Sequence, residues 1–191
     1  MDYSNFTDCQ LMLMYSHGCE EAFDELFLRH CKGLYRYLKR MTDDVGEAED
    51  MLQETFVRVA RNAKSYEPAA SFKAWLYRIA TNRCLSHLKG RGRLKLLAFP
   101  GEVSDEVATD KPFQQARDME VTEAFKEAVV ELSAPLRAAV VLRDLEQYTY
   151  PEAAAILDIP VGTVKTHVHR GRKILRQKLA RHLREDVCNG L

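Results

Sequence analysis

The basic residues between Val161 and Arg184 are spaced to bind a polyanion along one side of a helix. This segment holds eight Lys and Arg residues and no acidic residue. Such side chains neutralise phosphates, and Lys, Thr and His can also hydrogen-bond to base edges in the major groove. We predict base reading by Lys165, Thr166 and His169. We predict phosphate contacts by Arg170, Arg172, Lys173 and Arg176.

The residues around this segment indicate a helix-turn-helix. Thr149 and Glu152 form a capping-box pattern that opens a short helix over 150–157, and Asp158 to Pro160 read as a turn. At about 100° per residue, the apolar positions of the following helix fall within about 80° and predict its packing face. These positions are Val161, Val164, Val168, Gly171, Leu175 and Leu179. Gly171 would allow close approach to a neighbouring helix.

A second basic block, from Ala69 to Lys95, holds seven basic residues and no acidic one, and it includes aromatic residues. Basic and aromatic side chains together suit single-stranded nucleic acid, whose bases stack on rings. The helical spacing of Phe72, Trp75 and Ile79 equally fits a core, and core is the favoured interpretation for Trp75.

Between Met41 and Phe56 there are six acidic residues and no basic one. Glu47, Asp50 and Glu54 fall near one another on a predicted helix. Paired carboxylates can perform acid–base catalysis or bind a metal, but no His partner or glycine-rich phosphate loop accompanies them. A solvated face is the ordinary interpretation, and a protein-binding surface is the better functional one.

The elements that position these residues are helices. Strand patterns are nearly absent, so we predict an all-α chain of two small helical domains, at residues 1–95 and 119–186. Residues 96–118, which include Pro100, Gly101 and Pro112 in an acidic stretch, read as a flexible linker. Further helix starts are predicted at Thr7, at Asp44 and at Ser133.

Composition excludes several classes. No apolar run is long enough for a membrane span, and no secretory signal is visible. The five scattered cysteines fit reduced thiols in the cytoplasm. Metal binding is a minor alternative for two groups of side chains. They are His17, Cys19, His30 and Cys31, and the Lys- and Arg-flanked His167, His169 and His182. We expect no metal and no cofactor.

Three motifs resemble segments of sigma factors. Residues 49–56, Glu-Asp-Met-Leu-Gln-Glu-Thr-Phe, are similar to the polymerase-binding segment. Residues 72–82 resemble the segment that opens and holds the −10 element. Residues 148–154 and 161–167 resemble the module that reads the −35 element. Their order and spacing over residues 10–184 identify the chain as a member of the extracytoplasmic-function group of the sigma-70 family.

The resemblance implies partners and further site residues. Core RNA polymerase would contact Asp50, Gln53, Glu54 and Phe56. The −10 element of promoter DNA would contact Lys73, Trp75, Arg78, Asn82, Arg83 and Lys89. An anti-sigma factor, expected to be the cytoplasmic part of a membrane protein, would contact Leu52, Phe56, Leu175 and Leu179. The chain would act in the cytoplasm or at the inner membrane face, with the linker threading toward the polymerase active centre, and would carry no catalytic residue.

Two other functions are compatible with parts of the sequence. A free-standing helix-turn-helix regulator with a ligand-sensing N-terminal domain would explain the basic helix at 161–184, but it leaves the −10-like block unexplained. An enzyme using the carboxylates near Asp50 would need partners that the sequence does not supply.

Overall fold

Helices make up the parts of the chain that the computed structural model describes, which are residues 2–67, 71–90 and 123–189, with backbone only at 123 and 181–189. These parts contain no strand, so the all-α prediction is confirmed. The chain divides into two compact units, Met1–Ser86 and His87–Leu191. The predicted linker, 96–118, lies outside the described residues, and the boundaries at 95 and 119 stay predictions.

The first unit begins with three helices joined by short turns. They are α1 (Asp8–Ser16), α2 (Glu20–Thr42) and α3 (Val45–Arg61). A 3-10 turn at Ala63–Ser65 follows, and then α4 (Phe72–Gly90), of which residues 72–86 belong to this unit. The predicted starts of α1 and α3 are confirmed: Thr7 and Gln10 form a capping box, and Asp44 accepts a hydrogen bond from the Glu47 amide at 2.8 Å.

The core of the first unit forms where α2, α3 and α4 bury their apolar stripes. Leu26, Leu34 and Leu38 of α2 are fully buried, as are Val59 of α3 and Leu76 of α4. Each such side chain stabilises the fold by about 1.5–3 kcal/mol through its removal from water. Leu26, Leu34 and Leu38 thus form one buried apolar stripe along α2.

The second unit contains four helices in its described part. They are α5 (Glu123–Val130), α6 (Ala134–Val140), α7 (Tyr150–Leu157) and α8 (Val161–Asn189). The predicted capping box of Thr149 and Glu152 is formed, and Asp158 makes the turn with a left-handed backbone at φ 56°. The Ser133 side chain makes no capping bond. Pro135 has no N–H and so removes one of the amides that such a side chain accepts from.

A π-helical turn at Val141–Leu145 follows α6, and the sequence analysis did not foresee it. The Glu146 amide donates to the Val141 carbonyl at 2.9 Å, five residues back. The wider turn accommodates one extra residue. It carries Asp144 into the interior of the unit, where this carboxylate is 2% exposed.

The packing of α8 depends on Gly171. A Cβ atom at this position would lie 2.5 Å from Cγ2 of Val140 on α6, so the predicted close approach is confirmed. Val164 and Val168 are buried as predicted. The prediction that Val161 packs is wrong, because it is the first residue of α8 and is 38% exposed. Of the described helices, none is both long and apolar enough to cross a membrane.

Candidate nucleic-acid and polymerase interfaces

One side of α8 presents cations to solvent. Lys165, His169, Lys173 and Arg176 fall within an arc of about 80° at about 100° per residue. Lys165, Lys173 and Arg176 are exposed, and His169 is half-buried. Duplex DNA can therefore reach all four side chains from one direction, and we refer to them as the α8 basic face. Their contacts with DNA stay predictions.

Two other predicted contacts border this face. Thr166 is half-buried and its hydroxyl donates to the Gly162 carbonyl at 3.0 Å, so its own helix already uses the donor. Arg170 lies further round the helix and is half-buried. Burial, and to a lesser extent the positive charge of Arg170, lowers the pKa of His167. His167 is therefore neutral at pH 7.

The ring of Tyr150 lies close to the charged end of the Lys165 side chain. Tyr150 is the first residue of α7 and is 5% exposed. Lys165 Nζ lies 5.6 Å from the centre of its ring, and Arg143 Cζ of the π-helical turn lies 5.0 Å from the same centre. Aromatic rings attract cations at such distances. The sequence analysis missed Arg143, which interrupts an apolar run next to the helix-turn-helix and so carried a signal.

Arg172 does not belong to the α8 basic face, and its prediction as a phosphate contact is wrong. It is 6% exposed and forms a two-pronged ion pair with Asp144. Nε lies 3.0 Å from Oδ2, and Nη2 lies 2.6 Å from Oδ1. Burial opposes the charge of the guanidinium, but hydrogen bonds and attraction from Asp144 outweigh it and raise its pKa. The pair fastens α8 to the π-helical turn.

On α4, four predicted −10 contacts share one side. Trp75, Arg78, Asn82 and Lys89 fall within an arc of about 60° at about 100° per residue. Arg78, Asn82 and Lys89 are exposed and Trp75 is half-buried. We call these four residues the α4 face. Lys73 is exposed on the opposite side of α4, with Nζ 5.8 Å from the centre of the Tyr77 ring, and its contact with the −10 element stays a prediction.

Trp75 belongs to an aromatic cluster at the start of α4. Its ring centre lies 5.2 Å from that of Tyr66 and 6.2 Å from that of Phe72. Tyr66 and Phe72 are buried, so the half-buried Trp75 is the member that reaches solvent. Burial raises the pKa of Tyr66 to about 12, which keeps the phenol neutral. Both interpretations of Trp75 are thus compatible, since it packs on the core and leaves part of its ring available for stacking.

The acidic side of α3 presents Asp50 and Gln53, which are exposed, and Glu54, which is half-buried. Val57 lies on the same side and is 46% exposed. We call these four residues the α3 face. The sequence analysis missed Val57, although an apolar residue that is out of phase with the buried stripe of its helix indicates a contact surface.

Phe56 is 4% exposed, so its prediction as a direct polymerase and anti-sigma contact is wrong for this structure. Its ring packs against Phe23 at 6.1 Å and Phe27 at 4.8 Å between centres. Phe27 is 38% exposed and the neighbouring Leu28 is 68% exposed. Phe56 therefore supports Phe27, an apolar side chain that a partner can reach, and the sequence analysis missed both Phe27 and Leu28.

Three other predicted partner contacts lie on apolar stripes. Leu52 is half-buried on α3. Leu175 and Leu179 are 0% and 7% exposed on the side of α8 that packs against α5 and α6. The prediction that an anti-sigma factor touches Leu175 and Leu179 is wrong for this packing, because the second unit already covers them.

The side chains of the first metal alternative have separate partners. His17 Nδ1 lies 2.7 Å from the Leu13 carbonyl, and His30 Nε2 lies 2.7 Å from Asp8 Oδ2. The Cys19 sulfur lies 3.4 Å from the Tyr3 hydroxyl. Among the residues that the structure describes, no three His, Cys, Asp or Glu side chains are grouped to hold a metal ion. The side chain of His182 lies outside the described part.

Both halves of the chain match family models. Residues 26–94 match Sigma-70 region 2, and residues 122–175 match Sigma-70, region 4. SigE of Mycolicibacterium smegmatis, an ECF RNA polymerase sigma factor, is 39% identical over 167 residues, which are 87% of this chain and 65% of SigE. The chain thus spans slightly less than two thirds of that relative. SigW of Bacillus subtilis, also an ECF sigma factor, is 32% identical over 85% of this chain and 91% of its own.

Solved structures agree with these matches. RpoE of Bartonella quintana, in complex with the anti-sigma factor NepR, is 28% identical with a TM-score of 0.63, covering 83% of this chain and 96% of RpoE. CnrH, in complex with the cytosolic domain of CnrY, shares the fold at 24% identity and a TM-score of 0.68, over 91% and 97% of the two chains.

Region 2 followed by region 4 defines a transcription initiation factor that gives RNA polymerase its promoter specificity. The chain belongs to the extracytoplasmic-function sigma factors of the sigma-70 family.

Proposed function

We propose that this chain binds core RNA polymerase, melts and holds the −10 element with its first unit, and reads the −35 element with its second. The observation that supports this division most strongly is the contrast between the α4 face and the α8 basic face. The α4 face combines cations with a partly exposed tryptophan, which suits unpaired bases. The α8 basic face belongs to a capped helix-turn-helix, which suits the major groove of a duplex.

Reconstituted transcription tests this function. The full chain is mixed with core polymerase alone on promoters identified by mapping transcription starts after overexpression. A sigma factor initiates at these starts without any other specificity factor. A helix-turn-helix regulator acts only when another sigma factor is present, so initiation that depends on a second sigma factor contradicts the proposal.

For polymerase docking we propose the α3 face together with the exposed Phe27 of α2, whose ring contacts Phe56 of α3. An acidic face attracts a basic partner surface and sets its orientation, while exposed apolar groups contribute buried area on association. Phe56 acts through Phe27, which its ring supports, rather than by touching polymerase itself.

Replacing Asp50 with lysine is expected to weaken core polymerase binding by about tenfold or more, because a like charge then faces the basic partner surface. Asp50 is exposed, so the helices of the first unit should stay intact. The measurement is competition with labelled wild-type protein for core polymerase, alongside far-ultraviolet circular dichroism. Glu127→Lys on α5 makes the same charge change at an exposed position of the second unit and controls for net charge. If both variants competed equally well for core polymerase, Asp50 would not belong to the docking surface.

We further propose that an anti-sigma factor restrains this protein in the cytoplasm, at the membrane face if that factor is anchored there. The RpoE relative supports this by its complex with NepR. The exposed apolar side chains of Phe27, Leu28 and Val57, with the half-buried Leu52, are the surface we propose for it. Purification from non-inducing cells should recover a stoichiometric small partner. Recovery only as free protein or polymerase complex contradicts this restraint.

A further inference from the structure

Glu54 links the α3 face to the α4 helix. Its carboxylate pairs with Arg83 of α4 and, at 2.8 Å, with Nη2 of Arg58 one turn along α3. The pairing with Arg83, more than that with Arg58, lowers the pKa of Glu54, so the carboxylate is charged throughout the neutral range. Glu54 thus belongs to the proposed polymerase surface and at the same time holds a cation of the neighbouring helix.

Arg83 is a predicted −10 contact, and it lies outside the α4 face. At about 100° per residue it is rotated by about 100° from Asn82 towards α3. Its side chain is 32% exposed, so the guanidinium can reach solvent from where it stands. The ion pair uses only the Nε–H of Arg83, but the Glu54 carboxylate also offsets the positive charge of the guanidinium. Arg83 therefore attracts a phosphate less strongly while it is paired with Glu54, and the ion pair and a phosphate contact at Arg83 compete.

We infer that Glu54 withholds Arg83 from DNA in the free protein and releases it when a cation of the polymerase engages the Glu54 carboxylate. This inference rests on the proposed function. It makes Glu54 a positioning residue for DNA binding as well as a docking residue. Because coupling between two binding events is reciprocal, DNA bound at Arg83 would equally favour polymerase binding at Glu54.

The exposure of the two side chains sets the size of the effect. Glu54 and Arg83 side chains are 35% and 32% exposed, so water screens the pair and each partner can exchange readily. Pairs of this kind correspond to changes of about two- to fivefold in an equilibrium constant. That is enough to bias the order of binding without locking the protein in one state.

A purely structural role is the competing explanation, since the same pair also fastens α3 to α4. The dependence of DNA affinity on salt separates the two explanations. Each additional phosphate contact on single-stranded DNA changes the slope of log affinity against log salt by about −0.7. Loss of a fastening contact alone adds no phosphate contact, and it does not steepen this slope.

The experiment titrates the full-length chain with a fluorescein-labelled single-stranded DNA of mixed sequence at several salt concentrations. Glu54→Gln should bind about two- to fivefold more tightly than wild type, with a slope steeper by about 0.7. The double variant Glu54→Gln/Arg83→Gln should return to the wild-type slope, whereas Glu54→Gln/Arg58→Gln should keep the steeper one. Glu49→Gln removes an exposed carboxylate from the same helix and should leave the slope unchanged.

Bound to core polymerase, wild type and Glu54→Gln should have equal slopes, because the carboxylate is already engaged. The coupling is refuted if Glu54→Gln has the wild-type slope in the free protein, or if the steeper slope persists without Arg83. Failure of the proposed function has a different signature, in which the wild-type chain neither assembles with core polymerase nor initiates transcription.

Discussion

Replacing Arg172 with alanine is expected to lower the free energy of unfolding of the second unit by about 3–5 kcal/mol, because it leaves the Asp144 carboxylate charged, buried and unpaired. Asp144 is 2% exposed, so water cannot replace the lost partner without opening the π-helical turn. A residue that touched only DNA phosphates would change the stability of the free protein by no more than about 0.5 kcal/mol.

The measurement is hydrogen exchange of the full-length chain, followed by mass spectrometry of peptides from the two units. Arg172→Ala should speed exchange in α6 to α8 and leave α2 and α3 unchanged. Lys173→Ala, the adjacent exposed cation, is the matched control and should leave exchange nearly at the wild-type level. The double variant Asp144→Leu/Arg172→Met removes both charges and should recover much of the loss, since apolar replacements of buried pairs are tolerated. If Arg172→Ala exchanged at the wild-type rate, Arg172 would not stabilise the second unit, and its assignment as a phosphate contact would be restored.

The sequence contained the information needed to place Arg172. On the helical wheel of α8 it falls about 20° beyond Val161, next to the apolar stripe rather than among the cations. Composition favoured a phosphate contact, because eight basic residues share the segment. The partner could not be foreseen, since Asp144 reaches the interior through a π-helical turn, which is a rare element.

Structural features that depend only on residues close together in the chain were predictable from the sequence. The capping boxes at Thr7 and Thr149 are contacts between residues three positions apart, and both are present in the structure. The exposure of a given aromatic was not predictable, because it depends on which helices meet. Phe56 and Phe27 lie on equally regular stripes, yet one is 4% and the other 38% exposed. Gly171 was partly predictable. A glycine inside an apolar stripe indicates a close approach to another helix, but it does not identify Val140 as the neighbouring residue.

The chain has no net charge, yet it presents two separate basic surfaces, the α4 face and the α8 basic face, and each can bind DNA. Attraction to phosphates depends on the local field, and ions screen charges beyond about 10 Å at 0.1 M salt. The acidic α3 face can therefore attract a different, basic partner from the same small unit. Glu54 of the α3 face pairs with Arg83 of α4, and this pairing of neighbouring opposite charges is the physical origin of the proposed coupling.

Replacing Lys165 with alanine is expected to remove discrimination at one base pair of the −35 element, by about 1–3 kcal/mol, and to leave the other positions unchanged. Lys165 is exposed in the first turns of α8, which is the part of a recognition helix that reaches base edges. A lysine recognises the O6 and N7 acceptors of guanine, so we expect the affected pair to be G·C. Tyr150 limits the positions that the ammonium can occupy, with Nζ 5.6 Å from the ring centre, which favours one register over many.

The measurement is transcription by the reconstituted polymerase from a promoter set in which each −35 position is varied in turn. Lys173→Ala is the matched control: it lies on the same α8 basic face but further from the helix start, so it should weaken all promoters alike. The salt slope of Lys173→Ala on duplex DNA should also become shallower by about 0.9, the loss of one phosphate contact. For Lys165→Ala the change should be confined to one position of the promoter set. A uniform loss across all positions would assign Lys165 to the phosphates and move base reading to another part of α8.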